Sequence, residues 1–140
     1  MQISFTIPGA PKGKARARTV RGKNGGVHSF TPEDTVNYEN LVKMCFNERK
    51  PGGWVPYEGI VKMTTVIYFP IPKSASKKKR EQMLVGEIRP LVKPDCSNVV
   101  KSIEDALNGI AYRDDSQIVY STQTKYYSET PEVRVVMEFL

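Results

Sequence analysis

The run from Glu58 to Phe69 constrains the fold of this chain more than any other segment. Val61, Met63, Thr65, Ile67 and Phe69 alternate with Ile60, Lys62, Thr64, Val66 and Tyr68. A period of two places the first set on one face of a long β-strand, which Pro70 and Pro72 then stop. A strand with that many inward positions needs neighbours and a covering layer. Ile3, Phe5 and Ile7 alternate in a first strand closed by Pro8-Gly9. A strand over about 117–127, a turn around Glu129–Pro131 and the alternating Val133, Val135, Met137 and Phe139 form the end of the chain.

The covering layer is expected to be helical. Thr31-Pro32-Glu33-Asp34 reads as N-cap, first helical proline and two acids at the positive end of the helix dipole. Tyr38, Leu41, Val42 and Cys45 supply the apolar stripe of that helix, which ends near Asn47–Lys50. A short basic helix is expected from Ser74 to about Leu84, and 85–93 reads as extended around Pro90. A second long helix covers about 98–108, with Val99, Ile103, Ala106 and Leu107 inward and Gly109 as its stop. The order β, long loop, α, β, short α, α, β, β predicts a single α+β domain over 1–140, with a small, largely antiparallel or mixed sheet covered by helices.

Charge carries the next inference. The chain has 21 Lys plus Arg against 15 Asp plus Glu, a formal charge of +6 and a pI near 9.3. No acid precedes Glu33, whereas Lys12, Lys14, Arg16, Arg18, Arg21 and Lys23 crowd a stretch, 10–30, that lacks apolar periodicity and reads as a long basic arm. A second basic run, Lys73 to Arg80, includes Lys77, Lys78, Lys79 and Arg80. Acids gather elsewhere, at Asp95, Glu104, Asp105, Asp114 and Asp115. Basic surfaces around a carboxylate cluster point to a polyanionic partner with a metal at the centre, against the plainer reading of two solvated loops. Cys45 and Cys96 form no disulfide framework or zinc pattern. No segment reads as a signal peptide or membrane span, and the expectation is a cytoplasmic protein.

The segment Asp95 to Ile118 carries the chemistry. With a helix beginning after Ser97, the residues Ser97, Lys101 and Asp105 share one face at i, i+4 and i+8, and the turn after Gly109 returns Asp114 and Asp115 toward it. Carboxylates beside a lysine suit Mg²⁺-assisted phosphodiester cleavage, the lysine meeting phosphate charge. The same residues also read as an ordinary Lys101–Asp105 ion pair, a helix cap at Asp95 and an acidic turn. His28 reads as a loop or DNA-backbone contact rather than a general base, Cys96 as a buried structural thiol, and Trp54 as a packing anchor rather than a base-stacking platform.

Asp95, Asn98, Lys101, Asp105-Ala106-Leu107, Asp114-Asp115 and Gln117 form a spaced pattern that resembles the RusA-type crossover junction endodeoxyribonucleases. The Phe5-to-Gly9 strand, the Arg16 and Arg18 arm, and the Thr31-Pro32 helix start with Tyr38 are similar to the family's N-terminal half. The resemblance implies a RusA-like fold and a homodimer that binds four-way DNA junctions and nicks two opposing strands with Mg²⁺ or Mn²⁺, in bacterial or phage DNA recombination and repair, near the nucleoid. By position it implies Asp95 and Asp115 as metal ligands, Asp114 as a further candidate, and Lys101 as the catalytic lysine. Asp105 and Asn98 recur without a settled role. Lys12, Lys14, Arg16, Arg18, Arg21 and Lys77 to Arg80 are the candidates for phosphate contacts.

Ser97 departs from the pattern, which has a metal-binding Asp there. A neutral hydroxyl is a poor Mg²⁺ ligand, though a good helix N-cap. Three explanations stand: a change that disables cleavage while keeping DNA binding, a naturally degenerate homologue, or another acid, Asp114 or Asp105, taking the vacancy. The competing functions are a non-catalytic module for branched or single-stranded nucleic acid and a basic adaptor for acidic proteins.

Overall fold

The computed structural model of the protein describes residues 1–15, 18–30 and 33–140, the side chains of 18–20 and 27–30 excepted. Among the described residues, six strands and three α-helices follow in the order β1 (Gln2–Pro8), β2 (Arg18–Arg21), β3 (Val27–Phe30), α1 (Glu33–Arg49), β4 (Val61–Pro70), α2 (Lys77–Leu84), α3 (Cys96–Leu107), β5 (Ile118–Ser128) and β6 (Glu132–Phe139). The main sheet runs β1-β6-β4-β5. β6 is antiparallel to both β1 and β4, whereas β4 and β5 are parallel, so the sheet is mixed and the architecture α+β.

The parallel pair explains why β5 and β6 are not hairpin partners although only a short turn separates them. β4 lies between them, and its long connection to β5 carries α2 and α3. Parallel neighbours need such a crossover, because a tight turn reverses direction.

Alternation does place one sheet face inward. Ile3, Phe5, Ile7, Val61, Met63, Ile67, Phe69, Val133, Val135, Met137 and Phe139 are buried against Val42, Phe46, Val99, Ile103 and Leu107 of α1 and α3. The opposite face is half-exposed at Val66, Tyr68 and Val136. There Tyr68 and Tyr126 stack with centroids 6.0 Å apart, flanked by the guanidinium groups of Arg134 and Arg89.

Several local expectations shift. The basic arm is not a plain loop, since β2 and β3 pair as an antiparallel ribbon around the turn at Lys23-Asn24-Gly25-Gly26, with Gly25 at φ +79°. That Asn-Gly dipeptide between Thr19-Val20 and Val27-His28 is a hairpin signal. The first α-helix runs Glu33–Arg49, and its expected Thr31-Pro32 cap lies outside the described residues. Ser76, not Ser74, caps α2, its hydroxyl accepting from the Lys79 amide at 3.3 Å. The 85–93 segment forms turns and bends with Pro90 buried, rather than an extended stretch.

Candidate functional site

α3 begins at Cys96, so Asp95 holds the N-cap position and Ser97 lies inside the first turn. Ser97 is therefore not the cap its chemistry suggested. The Asp95 backbone is extended, at φ −67° and ψ 154°, and its exposed carboxylate makes no capping hydrogen bond. Cys96 is half-buried rather than a core thiol. The helix is strongly one-sided. Val99, Val100, Ile103, Ala106 and Leu107 are buried, while Ser97, Lys101 and Asp105 share the opposite face as the spacing requires.

After α3, Gly109 turns the chain at φ +77°, and a single 3-10 turn at Asp115–Gln117 leads into β5. Gln117 organises this return. Its amide nitrogen donates to the carbonyls of Tyr57 and Gly59 at 2.7 and 2.9 Å, and its oxygen accepts from the amides of Arg113 and Asp114, each at 2.9 Å. Asp114 Oδ2 accepts from the Ser116 amide at 3.0 Å, and this hydrogen bonding holds its carboxyl below the usual range. The Asp115 amide donates to Asn108 Oδ1 at 3.1 Å, tying the turn to the end of α3. Below it, Tyr112 is fully buried and donates to the Glu104 carbonyl at 2.8 Å.

These ties bring Asp115 to Lys101. The Lys101 ammonium is 2.9 Å from Asp105 Oδ1 and 3.5 Å from Asp115 Oδ2. The Asp105 hydrogen bond, with the charge of both acids, raises its pKa. On the other side of Asp105, Lys14 Nζ is 3.3 Å from Oδ2 and also pairs with Glu39 of α1. Burial alone would lower the Lys14 pKa, but Glu39 and Asp105 together raise it. Glu104 is half-buried, and desolvation followed by the nearby Asp115 charge pushes its carboxyl up.

Asp105, Lys101 and Asp115 thus meet as expected, and Asp114 lies beside them as a turn cap. Asp114 is hydrogen-bonded within its own turn, and Asp105 is paired with Lys14 and Lys101. Lys14, a candidate phosphate contact, pairs with Glu39 and Asp105. Glu39 was not anticipated, because its partner is distant in sequence. Lys12, Arg21, Lys77, Lys78 and Lys79 are exposed, and Arg80 is half-buried, 3.6 Å from Glu129. Arg16 and the side chains of Arg18 and His28 lie outside the described residues. Trp54 packs at 6.2 Å from Phe46 and 4.9 Å from Phe139 and donates to the Ala111 carbonyl, which fits a packing anchor.

Among the described residues, no three His, Cys, Asp or Glu side chains gather into a metal-holding group. Asp95 and Asp115 nevertheless fit Mg²⁺ in donor chemistry. That ion takes hard carboxylate oxygens and often uses only one or two, with water and a substrate phosphate completing its shell. No helix among the described residues is long and apolar enough to cross a membrane.

YqaN of Bacillus subtilis (strain 168), an uncharacterized protein, is 39% identical over 138 residues, spanning 96% of this chain and 94% of that protein. The family described as endodeoxyribonuclease RusA matches residues 8–138, a span that holds β2 to β5, nearly all of β6, the three helices and the Lys101–Asp105–Asp115 cluster, and that begins at the last residue of β1. The chain therefore belongs to the RusA endodeoxyribonuclease family, whose activity is cleavage of DNA at Holliday junctions.

Proposed function

We propose that this chain binds four-way DNA junctions as a homodimer and makes paired symmetric nicks by Mg²⁺-dependent phosphodiester hydrolysis, with Mn²⁺ as a substitute, in a form whose cleavage is impaired by Ser97. The observation that carries the reading is the Lys101 ammonium, more than half exposed and 3.5 Å from Asp115, on the helix face that also carries Ser97. An exposed cation next to a hard carboxylate donor can meet the charge of a scissile phosphate. Asp95 and Asp115 would hold the divalent ion, with Asp114 adjacent, and the bound ion would supply an activated water and charge neutralisation.

The basic surfaces support the DNA part of the reading. Lys77, Lys78 and Lys79 project from the first turn of α2, and Lys12 and Arg21 from the arm. Such contacts position DNA through its phosphates without specifying sequence. Two symmetric cuts across a pseudo-two-fold junction call for two sites related by a two-fold axis, which favours a homodimer. A DNA substrate also argues for action inside the cell. Ser97 favours a second reading, in which the chain binds branched or single-stranded nucleic acid without cutting it.

A gel assay separates the two. Junction, duplex and single-stranded DNA are compared at two salt concentrations, with and without Mg²⁺ or Mn²⁺, for the chain and its Ser97→Asp variant. Position 97 is exposed in the first turn of α3, so an added carboxylate meets no packing obstacle and favours the helix dipole by about 0.3–1 kcal/mol. Junction preference and paired nicks in the variant support the nuclease. Absent cleavage by a folded, junction-binding variant in either metal leaves the binding-module reading.

A further inference from the structure

We propose that Lys14 is a positioning residue: by sharing Asp105 with Lys101 it sets how tightly Lys101 is held, and it ties that setting to the seating of the basic arm on α1 and α3. The inference rests on the role given above to Lys101 and Asp115.

The first observation is the order of charges. Glu39, Lys14, Asp105, Lys101 and Asp115 form a chain of alternating sign drawn from α1, the arm, α3 and the turn before β5. Asp105 is divided between two cations, Oδ2 at 3.3 Å from Lys14 and Oδ1 at 2.9 Å from Lys101. Without the Lys14 charge, Glu39 and Asp105 would have no cation between them, and Asp105 would draw on Lys101 alone. Lys101 would then be held more firmly, away from Asp115 and from an incoming phosphate.

The second observation is that Lys14 is seated by its backbone. Its amide donates to the Asn98 carbonyl at 3.0 Å, the Ala15 amide reaches Thr35 Oγ1 at 3.4 Å, and the buried Ser102 hydroxyl lies 3.2 Å from the Lys12 carbonyl. Gly13 permits this close approach, because a Cβ there would lie 3.0 Å from Pro94 Cβ and 3.3 Å from Asn98 Cβ. Residues 12–15 are thus clamped across both helices, and the chain leads on from them to the basic β2–β3 ribbon.

The test uses Lys14→Met, Lys14→Arg and Glu39→Gln, with Mn²⁺ affinity measured by calorimetry in the unaltered background and junction cleavage measured in the Ser97→Asp background. Removing the Lys14 charge makes the site more negative and loosens Lys101 from Asp115. Lys14→Met should therefore tighten Mn²⁺ binding by about three- to tenfold. It should also lower kcat by about tenfold, the mark of an interaction made in the transition state, with KM for the junction changed less than threefold. Lys14→Arg should restore both quantities, and Glu39→Gln should move Mn²⁺ affinity the opposite way. A merely structural role would weaken metal binding and turnover together. Unchanged or weaker Mn²⁺ binding by a folded Lys14→Met variant, or failure of Lys14→Arg to restore it, overturns the proposal. If the Ser97→Asp background does not cleave at all, the nuclease reading falls, while the Mn²⁺ titration still decides the role of Lys14.

Discussion

Replacing Gln117 by Leu removes the polar staple beneath Asp115 while nearly preserving side-chain volume. In the native structure the amide makes four hydrogen bonds to backbone groups, two to part-buried carbonyls of Tyr57 and Gly59 and two from exposed amides of Arg113 and Asp114. Each part-buried bond contributes about 1 kcal/mol net; the Tyr57 carbonyl keeps the Arg113 amide as a donor at 3.2 Å, whereas the Gly59 carbonyl loses its Gln117 donor, which costs somewhat more. Water can replace the two exposed bonds, so they add a few tenths each. The variant should lose about 2–3 kcal/mol, which at this chain length lowers Tm by roughly 6–12 °C. Thermal unfolding followed by far-UV circular dichroism reads this directly. Gln117→Glu supplies a control with a pH signature. It keeps the acceptor for the two amides but turns a carboxylate toward two carbonyls, so its carboxyl is held protonated more tightly when folded than when unfolded. Its deficit is then largest at neutral pH and shrinks on acidification through the raised carboxyl range. A Gln117→Leu Tm within about 2 °C of the parent would refute the assignment of Gln117 as the element that holds the turn.

Three further outcomes follow from particular contacts. Gly13→Ala pushes a methyl against Pro94 and Asn98, and overpacking of this kind should cost about 1–2 kcal/mol in chemical denaturation; an unchanged midpoint would show that the clamp yields freely. Glu104→Gln should stabilise the protein at pH 7 more than near pH 4. Burial and the Asp115 charge raise the Glu104 pKa, so its unfavourable contribution is absent below the unfolded pKa and develops as pH rises through the folded one; equal effects at both pH values would contradict this. Replacing Lys77, Lys78 and Lys79 together by Ala should weaken binding to every DNA form and reduce the slope of log affinity against log salt by about 2.7 if all three meet duplex phosphates; an unchanged slope would remove α2 from the interface.

Much of the fold is legible because burial imposes periodicity. The inward set of β4 from Val61 to Phe69, the Val133–Phe139 alternation and the one-sided α3 all emerge from spacing alone. The i, i+4, i+8 relation of Ser97, Lys101 and Asp105 follows for the same reason, as it depends only on helix geometry. The β2–β3 ribbon is obscured in the sequence, where basic residues outweigh the Asn24-Gly25 turn signal. The cap of α2 was misplaced by two residues because Ser74 and Ser76 are chemically equivalent, and only the Lys79 amide distinguishes them. Ser97 was misread as a cap because Asp95 and Ser97 are both competent N-cap residues two positions apart.

By itself, then, the sequence determined which faces are apolar and which residues carry the family's chemical pattern, since both depend on neighbours within a few residues. The tertiary structure decided that β4 separates β5 from β6, that Gln117 binds the backbone of residues 57 and 59, and that Lys14 reaches Glu39 and Asp105. These contacts join positions up to about ninety residues apart. No local spacing encodes them, because a buried ladder or a shared carboxylate selects its partner only after the chain has brought several candidates within reach.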